Sequence, residues 1–336
     1  MAPFLTVLTA TVPGTRQRLI DDARRLVRPL LRPGGPRPAV SPYPGHYALV
    51  RSVVEGLRAI DADFNFNPRR LSEVGRVVYA PANEALLQAT ALKRQGRIDY
   101  LVAGPVNALF ADECDGILLR PEIDRLIVAS EWAAEFFREF PEAFAKCRAC
   151  PCGVDAEWWQ PSAASAAAGV ATVYWKGGEE RFCEQVERLV RACGLEPRRI
   201  RALPGEHAIF AAGDYRRVLD QSSIAVFLST FETQGLALAE AWSMDVPTLV
   251  WDPRSRTEWR GRALTSGSSA PYLTPATGRL WRTIDELEPV LRGALAERSS
   301  FQPRAWVRAN MTDAICSAAL LDLIHQGAAS SIGHGL

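Results

Sequence analysis

Along most of the chain, short apolar runs alternate with longer stretches whose apolar positions recur every three or four residues. These are the two periods that separate buried strands from amphipathic helices. In the first half, GRVVYAP (75–81) and RIDYLVAGP (97–105) read as strands ending in proline-containing loops, with the helix ANEALLQATALKRQG (82–96) between them. DRLIVAS (124–130) reads as another buried strand, followed by a helix over EWAAEFFREF (131–140). The opening PFLTVLTATVPG (3–14) suits a strand or ordered arm, and SPYPGHYALVRSVVEGLRAI (41–60) a glycine-containing turn that opens a helix. Leu49, Val53, Val54 and Leu57 supply that helix with its apolar positions.

A second series of the same kind begins near residue 170. VATVYW (170–175) is a strand, ERFCEQVERLVRACG (180–194) a helix stopped by Gly194, and IAVFLSTF (224–231) a strand. LALAEAWSM (236–244) then reads as a helix and VPTLVWD (246–252) as a strand, while one long helical pattern fills the tail from about 303. Between the series, residues 153–172 change character: a turn with two tryptophans gives way to an Ala/Ser stretch of linker composition. Repeated strand–helix alternation points to mostly parallel sheets, and the economical reading is two Rossmann-like α/β halves joined at that linker.

Composition narrows the class without naming a chemistry. The 336 residues suffice for two domains or one large α/β domain, and 48% hydrophobic with 23% charged residues is ordinary for a soluble globular protein. A net charge of +1 provides no overall field for nucleic acid. No window approaches a membrane span, and the N-terminus lacks the basic region of a signal peptide. Arginines at 16, 18, 24, 25, 28 and 32, interleaved with leucines, read as a solvated helix face, with a weak peripheral membrane contact as the alternative. Cys147, Cys150 and Cys152 cluster as C-x2-C-x-C, but all four histidines lie far away in sequence. Structural thiols are therefore preferred over a metal site, and a reduced, cytoplasmic compartment fits, at most peripheral on the inner membrane face.

The informative segment is Ser223–Asp252, which reads strand, loop, helix, strand. Its loop FETQG ends at Gly235, where a helix begins with free N–H groups, an arrangement that favours phosphate. Glu232 lies in the loop and Glu240 about a turn and a half into the helix, and carboxylates so placed suit hydroxyl-rich ligands. Two glutamates eight residues apart carry no specificity alone. Their frame of strand, E-x-x-G turn, small-residue helix and D-V-P-T-L-V-W resembles the E-x7-E signature of the family-4-type retaining glycosyltransferases. CGVDAEWWQP (152–161), VYWKGG (173–178) and SSAPYLTPATG (268–278) support the resemblance, which covers most of 125–330. In the first 120 residues only the Gly-loop and helix YPGHYALVRSVVEGL match.

The resemblance implies a GT-B-like fold of two Rossmann-like domains facing across a cleft. Its boundaries would be 1–155 for the acceptor domain and 165–302 for the donor domain, with a helix over 305–330 packing back on the first. It implies a sugar nucleotide, UDP- or GDP-linked, as donor, and a glycan, lipid-linked or protein acceptor. By the same resemblance Glu240 binds ribose hydroxyls and Glu232 the donor sugar. N–H groups at Gly235, Leu236 and Ala237 meet the sugar and phosphates, with Thr233 and Gln234 in the same loop, and Lys176 neutralises the departing diphosphate. Family members carry an Arg and a Lys five residues apart after that strand. Here Lys176 precedes Arg181, so either is a candidate for the charge. The histidine that the family offers near the donor sugar is missing from AGPVNALF (103–110), where Asn107 is the substitute and His46, beside Gly45, the second choice.

No cofactor or metal is expected. Asp61-Ala62-Asp63 has the letters of a metal-binding Asp-x-Asp, but it follows a helix and reads as a helix end or turn. Two alternatives stay open: an enzyme of another class on this fold, such as a sugar-nucleotide epimerase, and a catalytically silent binder of nucleotide sugars or glycans. A phosphorylase would need a pyridoxal-bearing lysine that is not identifiable.

Overall fold

The computed structural model describes residues 4–14, 46–105, 108–162, 169–202, 212–253, 257–259, 261–264 and 267–332. The arginine-rich stretch at 16–32 lies outside them. The first half is built on strands β1 (Leu5–Val7), β2 (Phe64–Phe66), β3 (Val77–Ala80), β4 (Tyr100–Ala103), β5 (Arg125–Val128) and β6 (Cys147–Ala149). They form one parallel sheet in the order β2-β1-β3-β4-β5-β6. The second half uses β7 (Val170–Trp175), β8 (Glu196–Arg201), β9 (Ile224–Leu228) and β10 (Thr248–Trp251). A small antiparallel hairpin of β11 (Thr257–Trp259) and β12 (Arg262–Leu264) follows, and then β13 (Gly278–Trp281). The second sheet, also parallel, has the order β13-β10-β9-β7-β8.

Every residue of β3, β4 and β9 is buried, as a parallel sheet covered on both faces requires. The principal helices are α1 (His46–Ala59), α2 (Asn83–Arg94), α3 (Glu180–Ala192), α4 (Ala212–Asp220), α5 (Leu236–Ser243), α6 (Ile284–Ala296), α7 (Pro303–Asn310) and α8 (Asp313–Ile332). Two helices expected from the pattern are not continuous. EWAAEFFREF breaks into the short helix Glu131–Ala134 and a 3-10 turn at Glu135–Phe137, with Phe136 and Phe137 buried in the first core. The tail divides at Met311–Thr312, because those residues pair with the linker. Val154 donates its N–H to Met311 O (2.9 Å), and Asp313 donates to Val154 O (3.2 Å).

That crossing settles how the tail is shared. Val307 and Met311 pack with Trp242 in the second half, whereas Leu320, Ile324 and Ala328 pack with Leu5, Leu57 and Tyr100 in the first. The approach of α8 to α1 is close enough to need glycine: a Cβ on Gly56 would lie 2.1 Å from Ser317 Oγ. Cys147, Cys150 and Cys152 are buried free thiols. Burial pushes them up to about 12, about 11 and about 12, which makes them inert.

Candidate functional site

The carboxyl ends of adjacent strands β7 and β9 bring the candidate residues together. Lys176 directly follows β7, and its N–H donates to Leu228 O at the end of β9 (3.0 Å). The loop after β9 is shaped by Ser229, whose hydroxyl donates to Phe231 O (2.9 Å), and by the Glu232 N–H, which donates to Ser268 O (2.8 Å). Gly235 takes φ +82, the left-handed conformation that starts α5. Leu238 and Ala239 turn their N–H groups back to Gly235 O, and the N–H groups of Leu236 and Ala237 meet no acceptor among the described residues. These are free first-turn donors of the kind that receive an anion.

Lys176 and Glu232 lie against each other. The Lys176 ammonium donates to both carboxylate oxygens of Glu232, at 2.8 and 2.7 Å, with the lysine side chain 37% exposed and the glutamate 13%. Behind Lys176, Gly177 (φ +118) and Gly178 (φ +95) carry the chain away, and a Cβ on Gly178 would meet nothing within 4 Å. The Lys176 side chain, 37% exposed, is reachable from solvent.

Glu240 projects from the second turn of α5 into half-buried surroundings. Loss of hydration pushes its carboxyl up to about 8, opposed by the positive charge of Arg51 on α1. Arg51 itself holds Asp313 with two hydrogen bonds (2.6 and 3.1 Å) and lies 4.0 Å from Asp155. Asp155 in turn accepts the N–H groups of Glu157 and Trp158, fixing the tryptophan turn of the linker.

Other expected positions divide. Gln234 turns its side chain into the protein. Its amide is buried and spent on the linker, accepting from Cys152 N (3.0 Å) and donating to Cys152 O (2.7 Å). Sequence grouped it with the expected phosphate loop, but the tight loop turns its side chain inward. Thr233 is exposed. Arg181 is exposed on the first turn of α3, while the Lys176 ammonium reaches the Glu232 loop itself. Gly45 and Asn107 lie outside the described residues, as does the side chain of His46 at the start of α1. Asp61 ends α1 with φ +50, and the Asp63 carboxylate accepts from Phe4 N (2.9 Å) just before β1. This pair lies at the amino ends of β1 and β2 in the first sheet, whereas the candidate site is built on the carboxyl ends of β7 and β9 in the second.

The first half contributes contacts that sequence reading missed. Immediately after β5, Ser130 donates to Thr233 O (2.6 Å) and the Trp132 indole N–H to Glu232 O (2.9 Å). In return Tyr272 donates its hydroxyl to Ala129 O (2.7 Å). Further out, Arg262 of the hairpin pairs with Asp112 (2.7 Å) and covers the ring of Phe110. The only signal in sequence was a Trp and a Tyr, each with an apolar body and a polar tip.

No protein-family model matches the sequence, and no curated protein matches it. Solved structures do. One is Anabaena HepE in complex with UDP-glucose, at 12% identity and TM-score 0.55, covering 96% of this chain and 99% of that one. A second is the sucrose-phosphate synthase of Thermosynechococcus elongatus, at 14% identity and TM-score 0.53, covering 97% and 99%. A third is the lipopolysaccharide outer core galactosyltransferase WaaB, at 12% identity and TM-score 0.52, covering 96% and 98%. The fold is GT-B: two Rossmann-like domains with parallel sheets. Among the described residues no helix is long and apolar enough to cross a membrane.

Proposed function

We propose that the chain is a retaining glycosyltransferase that takes a sugar from a nucleotide donor, UDP-linked in the first instance, without a divalent metal. The observation that carries this reading is the joining of Lys176, Glu232 and the free N–H groups of α5 at one strand-end loop. Departure of a nucleoside diphosphate builds negative charge, and a preorganised cation beside a helix N-terminus stabilises it at the moment of bond breaking. Lys176 and the N–H groups of Leu236 and Ala237 fill those roles. Glu232 receives hydroxyls of the donor sugar, and Glu240 those of the ribose, each with paired hydrogen bonds. The acceptor, a glycan, lipid-linked or protein hydroxyl, approaches from the first half. Seven cysteines, all free, fit a reducing, cytoplasmic setting.

HepE bound to UDP-glucose and a starch synthase IV bound to ADP share the fold and make sugar nucleotides the first donors to try. The test is release of free nucleoside diphosphate from a panel of UDP-, GDP- and ADP-sugars, with and without excess chelator. Turnover that persists in chelator supports the proposal. Loss of turnover restored by manganese would overturn its metal-free part, and tight donor binding with no release would favour the silent binder.

A further inference from the structure

We infer that Glu232 is a specificity gate, its carboxylate occupying Lys176 until the sugar of a donor draws it away, so that the site prefers sugar-linked diphosphates to free ones. The inference rests on the proposed donor site and goes beyond it, because it assigns Glu232 a role against the wrong ligand as well as toward the right one. Specificity of this kind needs an element that repels the competitor.

The geometry sets up a competition for one cation. The ammonium of Lys176 has three N–H donors, and both oxygens of Glu232 lie within 2.8 Å of it. Lys176 is the only lysine in the second half of the chain, so no other ammonium there takes its place. An incoming diphosphate meets a site whose cation is already neutralised, and it must approach a carboxylate of its own sign. The Glu232 backbone does not move aside. Its N–H is held by Ser268 O and its carbonyl by the Trp132 indole, so only the side-chain torsions are free to swing the carboxylate off Lys176. The lysine side chain is already 37% exposed, which leaves the ammonium accessible once that happens.

A sugar joined to the diphosphate changes the balance. Its hydroxyls donate to Glu232 and replace the bonds the carboxylate gives up, while the phosphates take over Lys176. Each charged group keeps a partner and none is left buried and bare. Free pyrophosphate or a free nucleoside diphosphate offers Lys176 an anion but gives Glu232 no donor at that place. After transfer the sugar is gone, the Lys176–Glu232 pair re-forms, and the product diphosphate loses its cation.

The experiment is titration calorimetry with inorganic pyrophosphate and with UDP at low ionic strength. Parent, Glu232→Gln, Glu232→Ala and Glu232→Gln/Lys176→Ala proteins are compared after their melting temperatures show that they fold. Both single variants are expected to bind pyrophosphate and UDP about three- to tenfold more tightly than the parent, the scale of a partly exposed ion pair with repulsion added. The gain disappears in the double variant and shrinks with added salt. Pyrophosphate affinity unchanged or weakened in both single variants overturns the gate, as does a gain that survives loss of Lys176. Turnover of the parent is read separately. Turnover without the affinity gain leaves the transferase reading standing and removes the gate, and the gain without turnover does the reverse.

Discussion

At the ends of β7 and β9 the second half presents charge and free backbone donors, whereas just after β5 the two halves meet through neutral groups, the charged Asp112–Arg262 pair lying further out. After β7 and β9 come Lys176, Glu232 and the start of α5. After β5 come Ala129, Ser130 and Trp132, which meet Tyr272, Thr233 and Glu232 through uncharged hydrogen bonds. The difference teaches a division of labour. On the proposed reading, charges that stabilise a leaving group act over a few ångströms and so sit on the sheet assigned to the donor. Neutral donors on the opposing sheet cost little to desolvate and set the shape of the loop on which those charges ride.

The largest expected effect breaks the charged side of this comparison. Lys176→Ala should lower the rate of donor turnover by about 10²–10³, the loss that follows removal of one preorganised electrostatic group. Lys176→Arg should recover only part of it, because a planar fork does not reproduce a compact ammonium. Rates measured at saturating donor in chelator check both. A Lys176→Ala enzyme as fast as the parent would move the charge to Arg181.

Next in size is the joint between the halves. A Cβ on Gly153 would lie 2.4 Å from backbone atoms of Thr312 and Asp313, where no side chain can yield. The glycine N–H also binds Ser52 Oγ (2.7 Å). Gly153→Ala should therefore cost about 3 kcal/mol of stability, seen as a melting transition several degrees lower in calorimetry. An unchanged transition would mean that the linker and α8 shift apart without loss.

What was legible follows from the same physics. Strands β3, β4, β5, β7, β9 and β10 lie within their sheets, so they read as apolar runs. The edge strands β2 and β8 did not, since only Ile200 is buried in EPRRIR and no residue of FNF is. The break between α7 and α8 was invisible because the periodicity runs through Met311, and only a partner about 150 residues away interrupts it. At the site, Lys176, Glu232 and Gly235 could be named because strand, loop and helix frame them locally. The inward turn of Gln234 and the grip of Ser130 and Trp132 depend on contacts across the two halves, which no local pattern encodes.

A smaller effect concerns Glu240 and sharpens the contrast with Glu232, which has a cation in contact. With its carboxyl pushed up to about 8 from an ordinary carboxylate value, Glu240 carries no ionisation penalty in the fold while protonated. Its ionisation draws stability away as pH rises from the unfolded value near 4.3 through 8, because the unfolded chain ionises first. Glu240→Gln removes that loss. The variant should match the parent near pH 4 and gain on it through pH 8, by about 1–2 kcal/mol once solvent reaching the half-buried carboxylate is allowed for. Denaturant midpoints at a series of pH values give the curve, and a gap that stays flat or narrows above pH 5 contradicts the assignment.

The smallest effect tests the neutral side. Trp132→Phe removes the indole N–H that binds Glu232 O and keeps an aromatic ring against Phe136 and Phe231, which the tryptophan meets edge-on at 5.1 and 6.3 Å. A hydrogen bond of this kind is worth about 1 kcal/mol net, a factor of about five. If its work is to shape the donor loop, the loss should fall on turnover at saturating donor, since Glu232 then swings from a misplaced backbone. The melting temperature should move by no more than about 2 °C in a chain of this size. A structural tie between the halves would give the opposite pattern, a lower melting temperature with turnover at saturation unchanged. Measuring both on one preparation decides whether the first half holds the donor loop for catalysis or merely holds on to the second half.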